Sequence, residues 1–172
     1  MPATYTLISS NVLTTTTASI TFSAIPSTYT DLVVRISSRT NTAGVISDQL
    51  LVTVNGITAN YSTTFMGTTN SSTMFSDRYS SVSGLNGLYT SNGDSATSNT
   101  FATAELYIPS YTVVQNKPMS LIGMGETNAT TARSAAHAFL SSNTAAITSI
   151  NIACNGSFVS GSSFYLYGIS NA

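Results

Sequence analysis

The stretch from Asn143 to Ile169, NTAAITSINIACNGSFVSGSSFYLYGI, constrains the fold more than any other part of the chain. Two short apolar runs, Ile147–Ala153 and Phe164–Ile169, flank a Gly/Ser-rich turn region at Asn155–Ser163. Runs this short, rich in Ile, Phe and Tyr and bounded by Gly, Asn and Ser, are strands, and together they read as a final hairpin. Alternation puts Phe164, Leu166 and Gly168 on one face of the last strand and Tyr165, Tyr167 and Ile169 on the other. A strand with one face in water does not carry two tyrosines and an isoleucine outward. Its outer face is therefore covered within the domain or meets another chain.

The same rhythm recurs upstream. Tyr5–Ile8 is a short first strand, and Ala18, Ile20 and Phe22 alternate with Ser19 and Thr21 in a second. Asp31–Arg39 sets Leu32, Val34 and Ile36 against Val33, Arg35, Ser37 and Arg39. Asp48–Val54 turns Leu50, Val52 and Val54 inward. It ends at Asn55-Gly56, a pair suited to the positive φ of a type I′ turn, from which Ile57–Tyr61 returns. Phe101–Ile108 places Ala102, Ala104, Leu106 and Ile108 opposite Glu105 and Tyr107. Met119, Leu121 and Gly123 mark a further strand, and Ala135–Leu140 another despite its good helix formers. From Ser62 to Asn99 the pattern dissolves, and near 62–99 we expect an irregular insertion. Its scattered large residues would pack on the sheets or on a neighbouring subunit. About eight to ten strands with regular turn signals and no long helix give an all-β chain. The expected form is an antiparallel two-sheet β-sandwich, jelly-roll-like, as a single domain over 1–172.

Composition narrows the function. Charged residues are 6% of the chain and the net charge is −1, against about 25% charged in an ordinary domain. There is no basic footprint for nucleic acid and no polybasic membrane anchor, and no apolar run reaches the length of a membrane span. The opening Met1–Tyr5 has no signal-peptide pattern. Cys154 is the only cysteine, which leaves no disulfide framework and no multi-Cys zinc site; it reads as a small buried hydrophobe. His137, the only histidine, has no nucleophile motif to serve and reads as a histidine on a strand face at a surface or interface. Asp31, Asp48, Asp77, Asp94, Glu105 and Glu126 are scattered, with no calcium loop or selectable catalytic pair. We expect no enzyme, no cofactor and no metal. Arg35 and Arg39, on one strand face, read as solvated. The tyrosines suit an interface better than a sugar platform, because the chain has no Trp and tyrosine joins an apolar body to a polar tip. The outward residues Val33, Arg35, Tyr107, Tyr165 and Tyr167 are the interface candidates.

Three segments carry a resemblance. ASITFSAIPSTYTDLVVRISSRT (18–40), NGDSATSNTFATAELYIPSYTVVQNKPM (92–119) and SSNTAAITSINIACNGSFVSGSSFYLYGI (141–169) resemble virion proteins of tailed phages, chiefly of cyanobacteria and marine bacteria. The opening TYTLISSNVL (4–13) is similar too, and FYLYGI is the most specific part. The resemblance implies a jelly-roll-like structural protein of the virion, assembled in the host cytoplasm and working as a homo-oligomer, often a trimer. In some members the role is capsid decoration (cement), bridging and stabilising major capsid subunits. In others it is a tail or tail-fibre part, which would bind a host surface glycan. It brings no catalytic residues. Decoration suits this compact chain better, because no repeats or heptads suggest a fibre shaft.

Overall fold

The computed structural model describes residues 4–69, 73–127 and 132–170. Among these the chain forms strands and no helix. The strands are β1 (Tyr5–Val12), β2 (Thr17–Phe22), β3 (Asp31–Ser38), β4 (Ser47–Val54), β5 (Tyr61–Thr69), β6 (Thr73–Val82), β7 (Leu85–Asn92), β8 (Ala102–Ile108), β9 (Lys117–Gly125), β10 (Arg133–Ser141), β11 (Ile150–Phe158) and β12 (Ser163–Ile169). They make two antiparallel sheets, an eight-stranded one in the order β1-β12-β3-β8-β9-β10-β5-β6 and a four-stranded one in the order β2-β11-β4-β7.

The pairings explain the architecture. β1 pairs with β12, β2 with β11, β3 with β8 and β4 with β7. These are nested, as if one long hairpin were rolled up, and successive members lie in opposite sheets. That is a jelly roll, the expected fold. Two hairpins are inserted into it. β5–β6 leaves between β4 and β7, and β9–β10 between β8 and β11; β9 adds to β8, β10 to β9, and β5 to β10. Both insertions lengthen one sheet at one edge.

Apart from Ala18, exposed at the start of β2, the residues that the alternation turns inward are buried, and Leu32, Val34, Leu50, Val52, Leu106, Ile150, Ile152, Phe164 and Leu166 have essentially no exposure. Gly168 faces the same way for a steric reason: a Cβ there would lie 2.2 Å from the ring of Tyr29.

Three expectations change. The segment near 62–99, read as irregular strands and loops, supplies among its described residues three regular strands, β5 from Ser62 on, β6 and β7, before the loop at 93–99. Thr and Ser occupy so many outward and inward positions there that hydropathy does not alternate, although the backbone does. Asn55-Gly56 does turn with positive φ at both residues, 54° and 68°, yet Ile57–Tyr61 does not return alongside β4. Both edges of β4 are already taken, by β11 and β7. Finally, Ile147–Ala153 and Phe164–Ile169 do not pair as a hairpin. β11 and β12 lie in opposite sheets, and the chain arches between them with Phe158 and Phe164 edge to face, ring centroids 4.9 Å apart.

Candidate interaction face

The outward face of the eight-stranded sheet can be read from the register, because directly opposed residues share a face. One row runs Arg35, Glu105, Ile122, Ala136, Met66, Ser76 across β3, β8, β9, β10, β5 and β6. The next runs Thr103, Met124, Ser134, Thr68, Met74. Ile122, Met124, Met66 and Met74 are 51%, 57%, 55% and 72% exposed, so four large apolar side chains stand in water within two rows. Between them β10 presents Ser134 and Ala136, followed on the same face by Ala138 and, at the strand's end, the exposed Leu140. The result is a shallow groove over β10, walled by Ile122 and Met124 on β9 and by Met66 and Met74 on β5 and β6. None of the groove's lining residues is charged. At its border Arg35 is paired with Glu105 at 3.3 Å, so that charge is matched within the chain.

The five residues that the sequence offered as an interface lie together on the β12, β3 and β8 part of this face, next to the groove. Tyr167, Val33 and Tyr107 stand side by side on β12, β3 and β8, and Tyr165 stands beside Arg35. Val33, however, is 1% exposed. Its burial comes from within the chain, since a tyrosine flanks it on each side, so it offers no surface to a partner. Tyr107 is half-buried and donates its hydroxyl hydrogen bond to Asp31 Oδ2 at 2.9 Å; that bond holds its pKa above the usual phenol value. Tyr165 and Tyr167 are half-buried. Tyr167 meets Tyr5 edge to face at 6.3 Å, and Arg35 lies 5.7 Å from the centre of the Tyr5 ring. Only Arg35 of the five is exposed.

The groove residues were not singled out from the sequence. The signal was present in Met119–Gly125, MSLIGMG, where both alternating sets are apolar, yet only Met119, Leu121 and Gly123 were read. Met66 and Met74 belong to the scattered large residues of 62–99 expected to pack on the sheets or on a neighbouring subunit; without a strand register, nothing in the sequence sets them beside Ile122 and Met124.

The remaining candidates are tied into the fold. His137 is 3% exposed, not at a surface. Its ring is stacked between Phe65 and Phe139 at 5.2 and 5.3 Å. Nε2 lies 3.1 Å from the Leu88 carbonyl, and Nδ1 has no partner. Burial lowers the histidine from 6.5 to about 4. Cys154 is half-buried, and burial, then the nearby Asp48 charge, push its thiol up to about 11. Arg39 is not solvated either: its guanidinium donates to the carbonyls of Asp94, Ala96, Thr97 and Thr100 and pins that loop. Asp48 is buried and accepts from Thr40, Thr42, Asn155 and the Gln49 amide. Lys117 has no exposure and donates to the carbonyls of Val113, Gln115 and Thr144. These buried charges are met by neutral groups, which a chain with so few ions must do. Among the described residues, no three His, Cys, Asp or Glu side chains converge as a metal site would require. No family model matches the chain, and neither does any curated protein or solved structure.

Proposed function

We propose that this chain is a non-enzymatic structural protein of a tailed-phage virion, a capsid decoration protein that bridges and stabilises capsid subunits. The observation that supports this most is the outward groove of Ile122, Met124, Met66, Met74 and Ala136. Contiguous apolar surface on a monomer marks an interaction site. Here it lies on inserted hairpins that extend a sheet beyond what the jelly roll needs. The buried engagements of His137, Asp48 and Lys117 favour the same reading, because the chain's chemically versatile groups are spent on holding the fold. Copies associate with one another as well as with the shell, and the resemblance implies three per assembly.

The test is the copy number in purified virions, measured by quantitative mass spectrometry against the major capsid protein. A number comparable with the capsid subunits is the expected result. A small number, typical of a tail, would replace this reading with the tail-component one. Absence from the particle would refute both.

A further inference from the structure

We infer that the groove over β10 receives a second copy of this chain, sheet face on sheet face, about a twofold axis passing between β9 and β10. The inference rests on the shape and charge of the face and not on the virion assignment.

The face is self-complementary. β9 is a ridge carrying Ile122 and Met124, and β10 beside it is a furrow floored at those positions by Ala136 and Ser134 and continued by Ala138, closed at its end by Leu140. Rotation about an axis between the two strands lays each ridge in the furrow of the other copy. An isologous contact requires this reciprocity. Packed sheets stand about 10 Å apart with side chains interdigitating, and alternating tall and short columns are what interdigitation needs. Charge favours the same partner. The groove's lining is uncharged, and the one carboxylate inside the footprint, Glu105 of β8, which the rotation sets over Met66 of the other copy, is already matched by Arg35. An uncharged, apolar surface therefore seats there without leaving an unpaired ion, whereas a charged one does not.

The area suffices. Four strands, β8 to β5, at about 4.8 Å spacing and about 27 Å in length give a footprint of about 500 Å² per copy, before corrugation is counted. Two copies bury about 1,000 Å² or more, the lower bound for a specific interface. The contact is thus of modest size. It leaves the exposed Tyr5, Leu7 and Val12 of β1, at the far edge of the same sheet, for any threefold association.

The experiment is sedimentation equilibrium of the isolated chain over a concentration series reaching the high micromolar range. It is run on the wild type, Ile122→Arg, Ala136→Arg and the β1 control Leu7→Arg. All three positions are exposed, and a thermal melt checks that each variant stays folded. We expect reversible twofold association in the wild type and Leu7→Arg, and at least a tenfold weaker association in Ile122→Arg and Ala136→Arg. A second readout needs no loss of folding. On a Cys154→Ser background, Ala136→Cys cross-links to a dimer with a short bismaleimide and Leu7→Cys does not. A wild type that stays monomeric, or an oligomer weakened by Leu7→Arg and indifferent to the groove variants, overturns the inference. So does an Ala136→Cys chain that cross-links in particles only to another virion protein; that result leaves the functional reading standing. A groove dimer formed by a chain absent from virions does the reverse.

Discussion

Acid should find one weak point in this fold, at His137. The Leu88 carbonyl can only accept, so Nε2 carries the ring proton and Nδ1 presents a bare lone pair with no partner. Protonation would place a new N–H and a positive charge on the wall between Phe65 and Phe139, where neither water nor an acceptor meets them. The aromatic faces return about 2 kcal/mol to a desolvated cation, and burial still outweighs that return, since it holds the ring well below its ordinary value. The folded-state pKa is thus about 4, against 6.5 in the unfolded chain. Between these values the unfolded chain binds a proton that the native one refuses. Stability is therefore whole above pH 6.5 and falls as the pH drops towards 4. A shift of about 2.5 units at 1.36 kcal/mol per unit amounts to about 3 kcal/mol, or about 8 °C in Tm for a chain of this length. The assay is urea unfolding at pH 7 and pH 4.5, for the wild type and His137→Phe. The variant keeps the stack and loses the Leu88 bond at every pH alike, and comparing the two cancels the titration of carboxylates. We expect the wild type to lose about 2 kcal/mol more than the variant on acidification. Because the chain has one histidine, its ring proton resonances can be followed by NMR without assignment. A ring pKa above 6, or equal acid losses in both proteins, would refute the reasoning.

Other outcomes follow from the same structure. Val34→Ala or Leu166→Ala should each cost about 2–4 kcal/mol in denaturant unfolding through the cavity left in a fully buried site, and unchanged stability would remove them from the core. Cys154, its thiol held up at about 11, should react with a disulfide reagent at pH 8 far more slowly in the native protein than in the unfolded chain. Arg39→Ala should leave the sheets intact and open the loop at 94–100 to proteolysis, since the guanidinium that ties four of that loop's carbonyls together is gone and only Thr97 keeps another donor, from Thr100. Association through the groove should persist in molar sodium chloride and strengthen in sulfate, because apolar burial is not screened; release proportional to ionic strength would point to charges instead.

What could be read from the sequence depended on contrast between neighbouring side chains. β3, β4 and β8 carry Val, Leu, Ile or Ala at every inward position along their apolar stretches and polar or charged residues at most outward ones, Val33 and Leu51 excepted, so their inward sets are legible one by one. β6, TMFSDRYSSV, is exposed on most of its length and has no apolar face of its own, so its strand is imposed by pairing with β5. The arch between β11 and β12 was hidden for a different reason. A Gly/Ser turn between two apolar runs looks the same whether the chain doubles back in one sheet or crosses to the other. The choice is made by distant partners, β2 and β4 for one run, β1 and β3 for the other. The five outward residues do share one face, yet sequence could not show that flanking tyrosines already cover Val33, nor that the groove begins on β9, the strand next to Tyr107.

The nested pairing also sets an order of events for a ribosome. β12 slots between β1 and β3, and β11 between β2 and β4, so the last strands synthesised occupy interior places in both sheets. Until Ile150–Ile169 has emerged, β1 and β2 have no neighbour at all, and β3 and β4 each show one bare edge. Loop closure between residues more than a hundred positions apart is slow, and open strand edges meanwhile invite other nascent chains. A chain that stops short of β11 is then not a smaller version of the protein but two sheets with a missing middle. Growth temperature and synthesis rate should govern its yield more than the stability of the finished fold does.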